Sequence, residues 1–531
     1  MNTRSHRTQA LLTIGIVLGI LILLNIVSIR IFGRLDATKN KMFTLSEASK
    51  DIVGKLDDKV TIKAYFTEDL PAPYNNNRRE VLDQLNEYKA YARGNLQYDF
   101  IDPSGEKGEQ EAQQQGIAPV QVQVVKEDKF EVKRAYMGLV LLYEDKKEIL
   151  PVVQNPATLE YEISSTIKRL TSKGLKKIGF LTGHGEPPLT ELNRAQELLK
   201  KQYELVSVSV SRGVPVPADV TALVVMAPSS KIPEPDKFQL DQYLMRGGRI
   251  AFLINRVEAT LQNRFGRAVD PGLDDMLENY GTRINVDLVR DLQCASISIM
   301  QQQYGFNIQS QVPFPYLPAA SNFSKGNAMV KDLQGIVFYF VSSIDTVNNA
   351  GRSLQGEILV RSSKQSGRLT GPFMLDPLQR YTREDLAQSF SEQGIPLAAI
   401  VKGQFKSLYA GKPVPADTAA GSAPPTANPI TQSPETQVVL FGDGDFVRDQ
   451  FMGNRDNVTI FANMIDYLAD DAGLITIRTK EVSMPLLEQV SDGTKKLVKY
   501  ANLVVPPLLV IGYGLLRWRV RRARRKALES K

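Results

Sequence analysis

The sequence predicts an α/β fold: a thioredoxin-like domain, then a doubly wound parallel-sheet domain, the pair flanked by two transmembrane helices. Three observations carry that expectation. Runs rich in β-formers alternate with apolar residues at helical spacing from Val60 to Tyr143. Nearly all-apolar strands separated by helices recur from Ile178 to Ile254, the pattern of a parallel sheet covered on both faces. Uncharged runs stand near either end, Ala10–Ile29 and Ala501–Leu516.

The first of these runs is long enough to span a bilayer, because helical residues rising about 1.5 Å each cover the roughly 30 Å hydrocarbon core in twenty steps. A cleaved signal peptide is the rival, since Arg4 and Arg7 form a basic leader. The run exceeds the usual apolar region of about 7–15 residues, and no small-x-small cleavage pattern precedes Arg30, so an uncleaved span over 10–32 behind a cytoplasmic tail 1–9 is expected.

A thioredoxin-like domain is expected over 36–155. Thr44-Leu45-Ser46-Glu47 has the form of a capping box, opening a helix to about Leu56. Strand Val60–Phe66, helix Asn75–Arg93 with Val81, Leu82, Leu85 and Tyr88 on one face, and strand Leu96–Ile101 form a β-α-β unit. A short helix Ala112–Gly116 and strands Val120–Val125, Val132–Tyr143 and Glu148–Val152 complete it. Redox cysteines would sit at Thr67–Pro73, and none is there, so the domain should bind or brace without thiol chemistry.

The doubly wound domain is expected over 156–480. Ala157–Leu170 reads as a linking helix. Strand Lys177–Leu181, helix Glu191–Gln202, strands Leu205–Val210 and Ala222–Met226, helix Pro235–Arg246 and strand Arg249–Ile254 then follow. Leu273–Tyr280 reads as a short helix, Gly335–Val341 and Glu357–Val360 as strands, and Pro313–Pro318 as a proline-rich loop. Residues 412–435, poor in bulky apolar side chains, form an expected flexible insertion. Gln437–Phe441 should then rejoin the parallel sheet, followed by helix Val458–Leu468. A stalk over 481–500 leads to the second span, 501–518, which contains Pro506-Pro507, and to a basic tail, 519–531.

Charge and cysteine content narrow the function. Residues 517–531 hold a net +7 and residues 1–34 a net +4, which leaves the region between them at −4 and excludes a nucleic-acid-binding body. The cluster Arg517 to Lys526 belongs on the cytoplasmic side, where it meets anionic lipid. If both spans insert, everything between them lies outside the cytoplasm of the inner membrane. The rival for the second run is a buried C-terminal helix with a nucleic-acid-binding tail. Cys294 is the single cysteine, so an intrachain disulfide or a multi-cysteine zinc site is impossible.

Several pieces together resemble the GldG family, the gliding-motility auxiliary component of a bacterial ABC transport system: the N-terminal run, Phe43-Thr44-Leu45-Ser46, strand Val60–Phe66 with its helix, Phe180-Leu181-Thr182-Gly183-His184-Gly185-Glu186, Phe441-Gly442-Asp443-Gly444-Asp445-Phe446, and the final run. The resemblance implies a periplasmic accessory subunit that associates with a separate permease and ATPase, with no established catalytic residues to carry over. The absence of G-x-x-x-x-G-K-[ST] agrees, since ATP hydrolysis must come from another chain.

Candidate chemistry concentrates at two strand ends. His184 and Glu186 sit in a Gly-flanked loop after one core strand, and Asp443 and Asp445 occupy the equivalent place after another. Ligands of doubly wound sheets bind beyond the carboxyl ends of strands. If the two strands are neighbours, one imidazole and three carboxylates converge to hold a divalent cation or perform acid–base work. The competing reading has Gly183, Gly185, Gly442 and Gly444 making tight turns, the aspartates capping helices and His184 satisfying loop carbonyls. A hydrolase also lacks a nucleophile, because no G-x-S-x-G elbow occurs. The expectation is a non-enzymatic, cofactor-free membrane-tethered subunit; the alternative is a membrane-anchored metal-dependent hydrolase or sugar-binding enzyme using His184 and Asp443.

Overall fold

The first helix, α1 (Glu47–Gly54), begins at Ser46, whose hydroxyl accepts the Ser49 N–H, and not at Thr44 as the capping-box pattern predicts. A distant carboxylate takes the part that Glu47 would play: Glu160 accepts the Ser46 N–H at 2.6 Å and the Ser49 hydroxyl at 2.8 Å. Glu47 turns instead to Lys50, at 2.8 Å. These features come from a computed structural model that describes residues 44–482 and 492–529 and positions 16, 19 and 20, apart from residues 69, 71–73, 127–128, 154–157, 173, 261–263, 304–305, 332, 347–353, 380, 416–427, 452–454 and 471. The expected tail 1–9 and, those three positions aside, the span 10–32 lie outside the described residues.

Strand β1 (Val60–Phe66) alternates Val60, Ile62, Ala64 and Phe66 toward one core, against α2 (Asn77–Tyr91). It pairs in parallel with β2 (Leu96–Ile101). Helix α3 (Glu106–Gln114) starts ahead of the expected Ala112 because Gly105 and the acidic Glu106 and Glu109 form its first turn. β3 (Val120–Lys126) and β4 (Lys129–Ala135) form a separate hairpin. The strand expected over Val132–Tyr143 is broken at Tyr136, whose N–H donates to the Thr67 hydroxyl and whose carbonyl accepts the Thr67 N–H, and β5 (Met137–Tyr143) continues alone into the sheet. With β6 (Lys146–Leu150) the order is β2-β1-β5-β6, β5 running antiparallel to both neighbours. α4 (Leu159–Thr171) closes this core with Ile163, Ile167 and Leu170, and its Ser164 meets the Tyr88 hydroxyl at 2.7 Å.

The larger sheet follows from β7 (Lys176–Thr182), helix α5 (Asn193–Leu199), β8 (Tyr203–Ser209), β9 (Val220–Met226), helix α6 (Glu234–Met245), β10 (Arg249–Leu253) and helix α7 (Asp274–Asn279). β11 (Cys294–Gln303) and β12 (Phe306–Ala320) make a long hairpin, followed by β13 (Asn322–Phe323), β14 (Ile336–Val337), β15 (Gln355–Arg361), β16 (Pro396–Lys406) and β17 (Gln432–Phe441). Eight strands join in the order β13-β15-β16-β17-β10-β9-β7-β8. The five from β17 to β8 are parallel, β17 rejoining beside β10. The other three are antiparallel, so the sheet is mixed where a wholly parallel one is expected. Helix α5 and α8 (Arg455–Leu468) cover one face through Ala195, Leu199, Phe461 and Met464; α6 and α7 cover the other through Leu240, Leu244, Met276 and Leu277.

Two expectations fail on polar or proline-rich sequence. Pro313–Pro318 is not a loop but part of β12: proline removes a donor and leaves the carbonyl, and the carbonyls of Tyr316 and Pro318 accept from Phe340 and Phe338. β17 begins at Gln432, so residues 432–435 belong to the sheet and not to the insertion, Glu435 pairing with Gln404 and Gln432 with Lys406. Residues 416–427 lie outside the described residues.

Helix α9 (Ala472–Val482) packs Leu474 and Ile477 against Tyr161 of α4. A second unit, residues 484–531, contains α10 (Asp492–Glu529), a single helix of 38 residues that passes through Pro506 and Pro507. Its stretch Lys496–Arg522 is long and apolar enough to cross a membrane, the one such stretch among the described residues, with Leu503, Leu508, Val510, Ile511 and Trp518 exposed.

Candidate functional site

The carboxyl ends of β7, β9, β10 and β17 carry the loops where an α/β sheet of this kind would bind a ligand. After β7 the chain turns through Gly183 and Gly185, whose φ angles of 117° and 80° favour glycine. At Gly185 the fit is also steric, since a Cβ would lie 2.1 Å from the Ser229 hydroxyl. This turn lets the His184 carbonyl accept the N–H groups of Ser229 and Ser230, at 3.1 and 3.0 Å, tying the β7 loop to the β9 loop.

The His184 ring lies between two carboxylates. Nδ1 faces Glu186 Oε1 at 3.3 Å and Nε2 faces Asp236 Oδ2 at 2.9 Å, with side-chain exposures of 4% for His184, 1% for Glu186 and 5% for Asp236. Glu186 also accepts the His184 N–H at 2.7 Å, and Asp236 accepts the Gly213 N–H at 3.0 Å. The bond to Glu186, reinforced by Asp236, outweighs burial and holds the imidazole above its usual pKa. Burial pushes the Glu186 carboxyl up, but the hydrogen bonds from His184 overcome it and leave the group below its usual value. His184 therefore engages carboxylates, where loop carbonyls are the expected partners.

After β17 the constraint is close approach. A Cβ at Gly442 would stand 2.0 Å from the Ser342 carbonyl oxygen, and one at Gly444 2.8 Å from the Leu253 carbonyl oxygen. Asp443, fully buried, accepts the Tyr339 N–H at 2.7 Å and the Asp445 N–H at 2.6 Å. Burial and then the nearby Asp445 charge push its carboxyl well above the ordinary range. Asp445 accepts from Asn255 at 2.9 Å and pairs with Arg448 at 2.6 Å; Arg448 also holds Glu191. The Asn255 side-chain oxygen Oδ1 accepts the Gly444 N–H at 2.7 Å.

The two pairs do not converge. β9 and β10 separate β7 from β17, and the side chains take opposite faces: His184 meets Asp236 on α6, while Asp443 turns toward the core that α8 covers. Among the described residues no group of three His, Cys, Asp or Glu side chains is arranged to hold a metal ion. Burial, and then the charge of Asp291, push the Cys294 thiol up to about 11, which disfavours the thiolate. The sequence reading missed Asp236, Asn255, Glu191 and Arg448. Asp236 sits beside Pro235 in the first turn of α6, where an acidic residue reads as a helix start, and nothing local announces that it reaches His184.

Residues 175–470, the strands and loops just described, match the family described as an ABC-type uncharacterized transport system. The chain belongs to that family. It is accordingly an auxiliary component of an ABC-type transport system, working with the other components of the transporter. Residues 39–142 match a second family, described only as a domain of unknown function. An uncharacterized protein of Borreliella burgdorferi is 22% identical over 520 residues, spanning 96% of this chain and 97% of its own length. Of solved structures, the mmIFT52 N-terminal domain is 13% identical with a TM-score of 0.33, covering 55% of this chain and 97% of that one. An exo-beta-1,4-mannosidase, Op5Man5, from Opitutaceae bacterium strain TAV5 is 10% identical with a TM-score of 0.23, covering 60% of this chain and 40% of its own. At these scores neither structure bears on how this transport component works.

Proposed function

We propose that the chain is a non-catalytic, membrane-tethered coupling subunit of GldG type, serving an ABC transport or gliding-motility complex. One observation carries the non-catalytic reading. The side chains that strand-end chemistry would need are engaged with one another: His184 with Glu186 and Asp236, Asp445 with Asn255 and Arg448. The hydrolase alternative needs His184 and Asp443 at one centre, and their opposite faces speak against it. In this reading all four predicted residues, His184, Glu186, Asp443 and Asp445, set loop geometry.

The architecture proposed is a thioredoxin-like domain over 36–155 and an α/β domain over 156–480, both outside the cytoplasm between two spans. The order β2-β1-β5-β6 with flanking helices supports the first domain. The apolar stretch of α10 and its Arg517–Lys526 cluster support a cytoplasmic C-terminus contacting anionic lipid, while the span at 10–32 rests on the sequence. Detergent pull-down of the tagged full chain tests the function: an ABC permease and ATPase should co-purify, and folded His184→Asn and Asp443→Asn variants should retain both. Isolation of the chain without an ATPase, or stoichiometric bound metal lost in those variants, overturns the proposal. A reporter fused after Lys531 should read as cytoplasmic.

A further inference from the structure

The longest uncharged stretch of the sequence coincides with a long extended arm. From Leu292 to Ser324 no residue is charged, in a chain of which 23% is charged. β11 and β12 occupy most of that stretch, pairing from Cys294↔Pro318 out to Gln303↔Phe306. At the base the arm is fixed: Ile297, Phe314 and Tyr316 are buried in one cluster, with Ala295 and Ile299 packed on it. On the other face Ser296, Ser298 and Met300 are exposed, Met300 at 68%. β11 is the end strand of the sheet β11-β12-β14 and, among the described residues, pairs with β12 alone.

An open strand edge is normally guarded by charge or proline, because its free N–H and C=O groups recruit other strands. The β3–β4 hairpin, by contrast, presents Lys133 and Arg134 exposed on β4. β12 carries Pro313, Pro315 and Pro318. β11 has neither device. We propose that the β11 edge is an interface between two copies of this chain, the arms adding edge to edge in antiparallel register about a two-fold axis. Such an axis sets residue i of one copy against residue j of its partner and j against i, Ser296 facing Met300 when Ser298 lies on the axis, so like charges along this edge would oppose one another across the seam, which costs stability. A segment wholly free of charge meets that requirement. A foreign strand would impose no such rule and would gain selectivity from opposite charge, which this edge cannot offer.

Because Cys294 is the single cysteine, Cys294→Ser yields a chain in which one introduced cysteine reports one position. In full-length protein in membranes, mild oxidation of Ser296→Cys, Ser298→Cys and Met300→Cys in that background should give a disulfide-linked homodimer for at least one position. Val132→Cys, exposed on the other hairpin, should not. Adding Ser296→Lys and Met300→Lys to the Ser298→Cys chain should cut dimer yield several-fold at unchanged thermal midpoint. No homodimer from the three positions, equal yield at Val132, indifference to the lysines, or cross-linking to a different protein each overturns the proposal.

Discussion

Arg478 of α9 and Asp466 of α8 form an ion pair of 2.8 Å between side chains that are 7% and 0% exposed. Arg478 also donates to Asn463 Oδ1 and to the Tyr161 hydroxyl, each at 2.7 Å, and its guanidinium lies 4.8 Å over the Tyr161 ring. The Tyr203 hydroxyl donates to Asp466 at 2.7 Å. Burial opposes the charge on Arg478, but the facing Asp466 and Tyr161 outweigh it and hold the guanidinium above its ordinary value. This network ties α4, which covers the smaller sheet, to α8, β8 and α9 of the larger one.

Removing one partner of a buried pair leaves an uncompensated charge, at a cost of about 3–5 kcal/mol. Arg478→Met should therefore lower the thermal midpoint sharply, whereas Arg478→Met with Asp466→Leu should recover most of the loss. Differential scanning calorimetry of the three proteins checks this; equal midpoints for both variants would show that the charge is not the cause.

Stability should peak in mildly acidic solution. The raised His184 contributes stability that is fully present below its unfolded value of about 6.5 and is lost as pH rises through the higher folded value. The lowered Glu186 contributes stability present above its unfolded value of about 4.3 that is lost as pH falls through the folded value. Both act together between about pH 4.3 and 6.5. Unfolding midpoints followed from this plateau upward through the folded His184 value should fall in the native chain, and that alkaline fall should flatten in His184→Gln, which keeps hydrogen bonds but cannot titrate.

Gly442→Ala should destabilise by about 1–3 kcal/mol or more, as overpacking against a fixed carbonyl does. The added Cβ would meet the Ser342 oxygen at 2.0 Å, and backbone must move to relieve it. Gly411→Ala is the matched control: it has a positive φ of 76° but nothing within 4 Å, so only the left-handed conformation is penalised, by about 1–2 kcal/mol. Urea titrations rank the two.

Glu160→Ala should strip acceptors from the Ser46 N–H and Ser49 hydroxyl, at about 1–3 kcal/mol for buried groups left unsatisfied. The loss should be local. Hydrogen exchange over residues 46–54 should accelerate while β7, β9 and β10 keep their protection.

Where local pattern and tertiary structure agree, the sequence was legible. β1, β7, β9 and β10 read directly because their apolar residues face cores on one or both sides. β17 read only from Gln437, since Gln432 to Glu435 are held by pairing with β16 beyond the apolar core. β12 was hidden by prolines whose carbonyls still pair. The helix start at Ser46 went to the wrong residue because Glu160, far along the chain, supplies the decisive acceptor. At the candidate site the glycine turns were readable; the burial of His184, its Asp236 contact and its separation from Asp443 depend on strand order and packing, which no local spacing encodes.

The order of strands in the larger sheet has a consequence for how it is made. β17 sits at its middle, between β10 and β16, yet it is the last of the eight to leave the ribosome. Until Phe441 emerges, Ile250 to Leu253 and Ala398 to Val401 each wait with a bare apolar flank. An unpaired strand edge of this kind is open to wrong partners while the nearly two hundred residues between Leu253 and Phe441 are made.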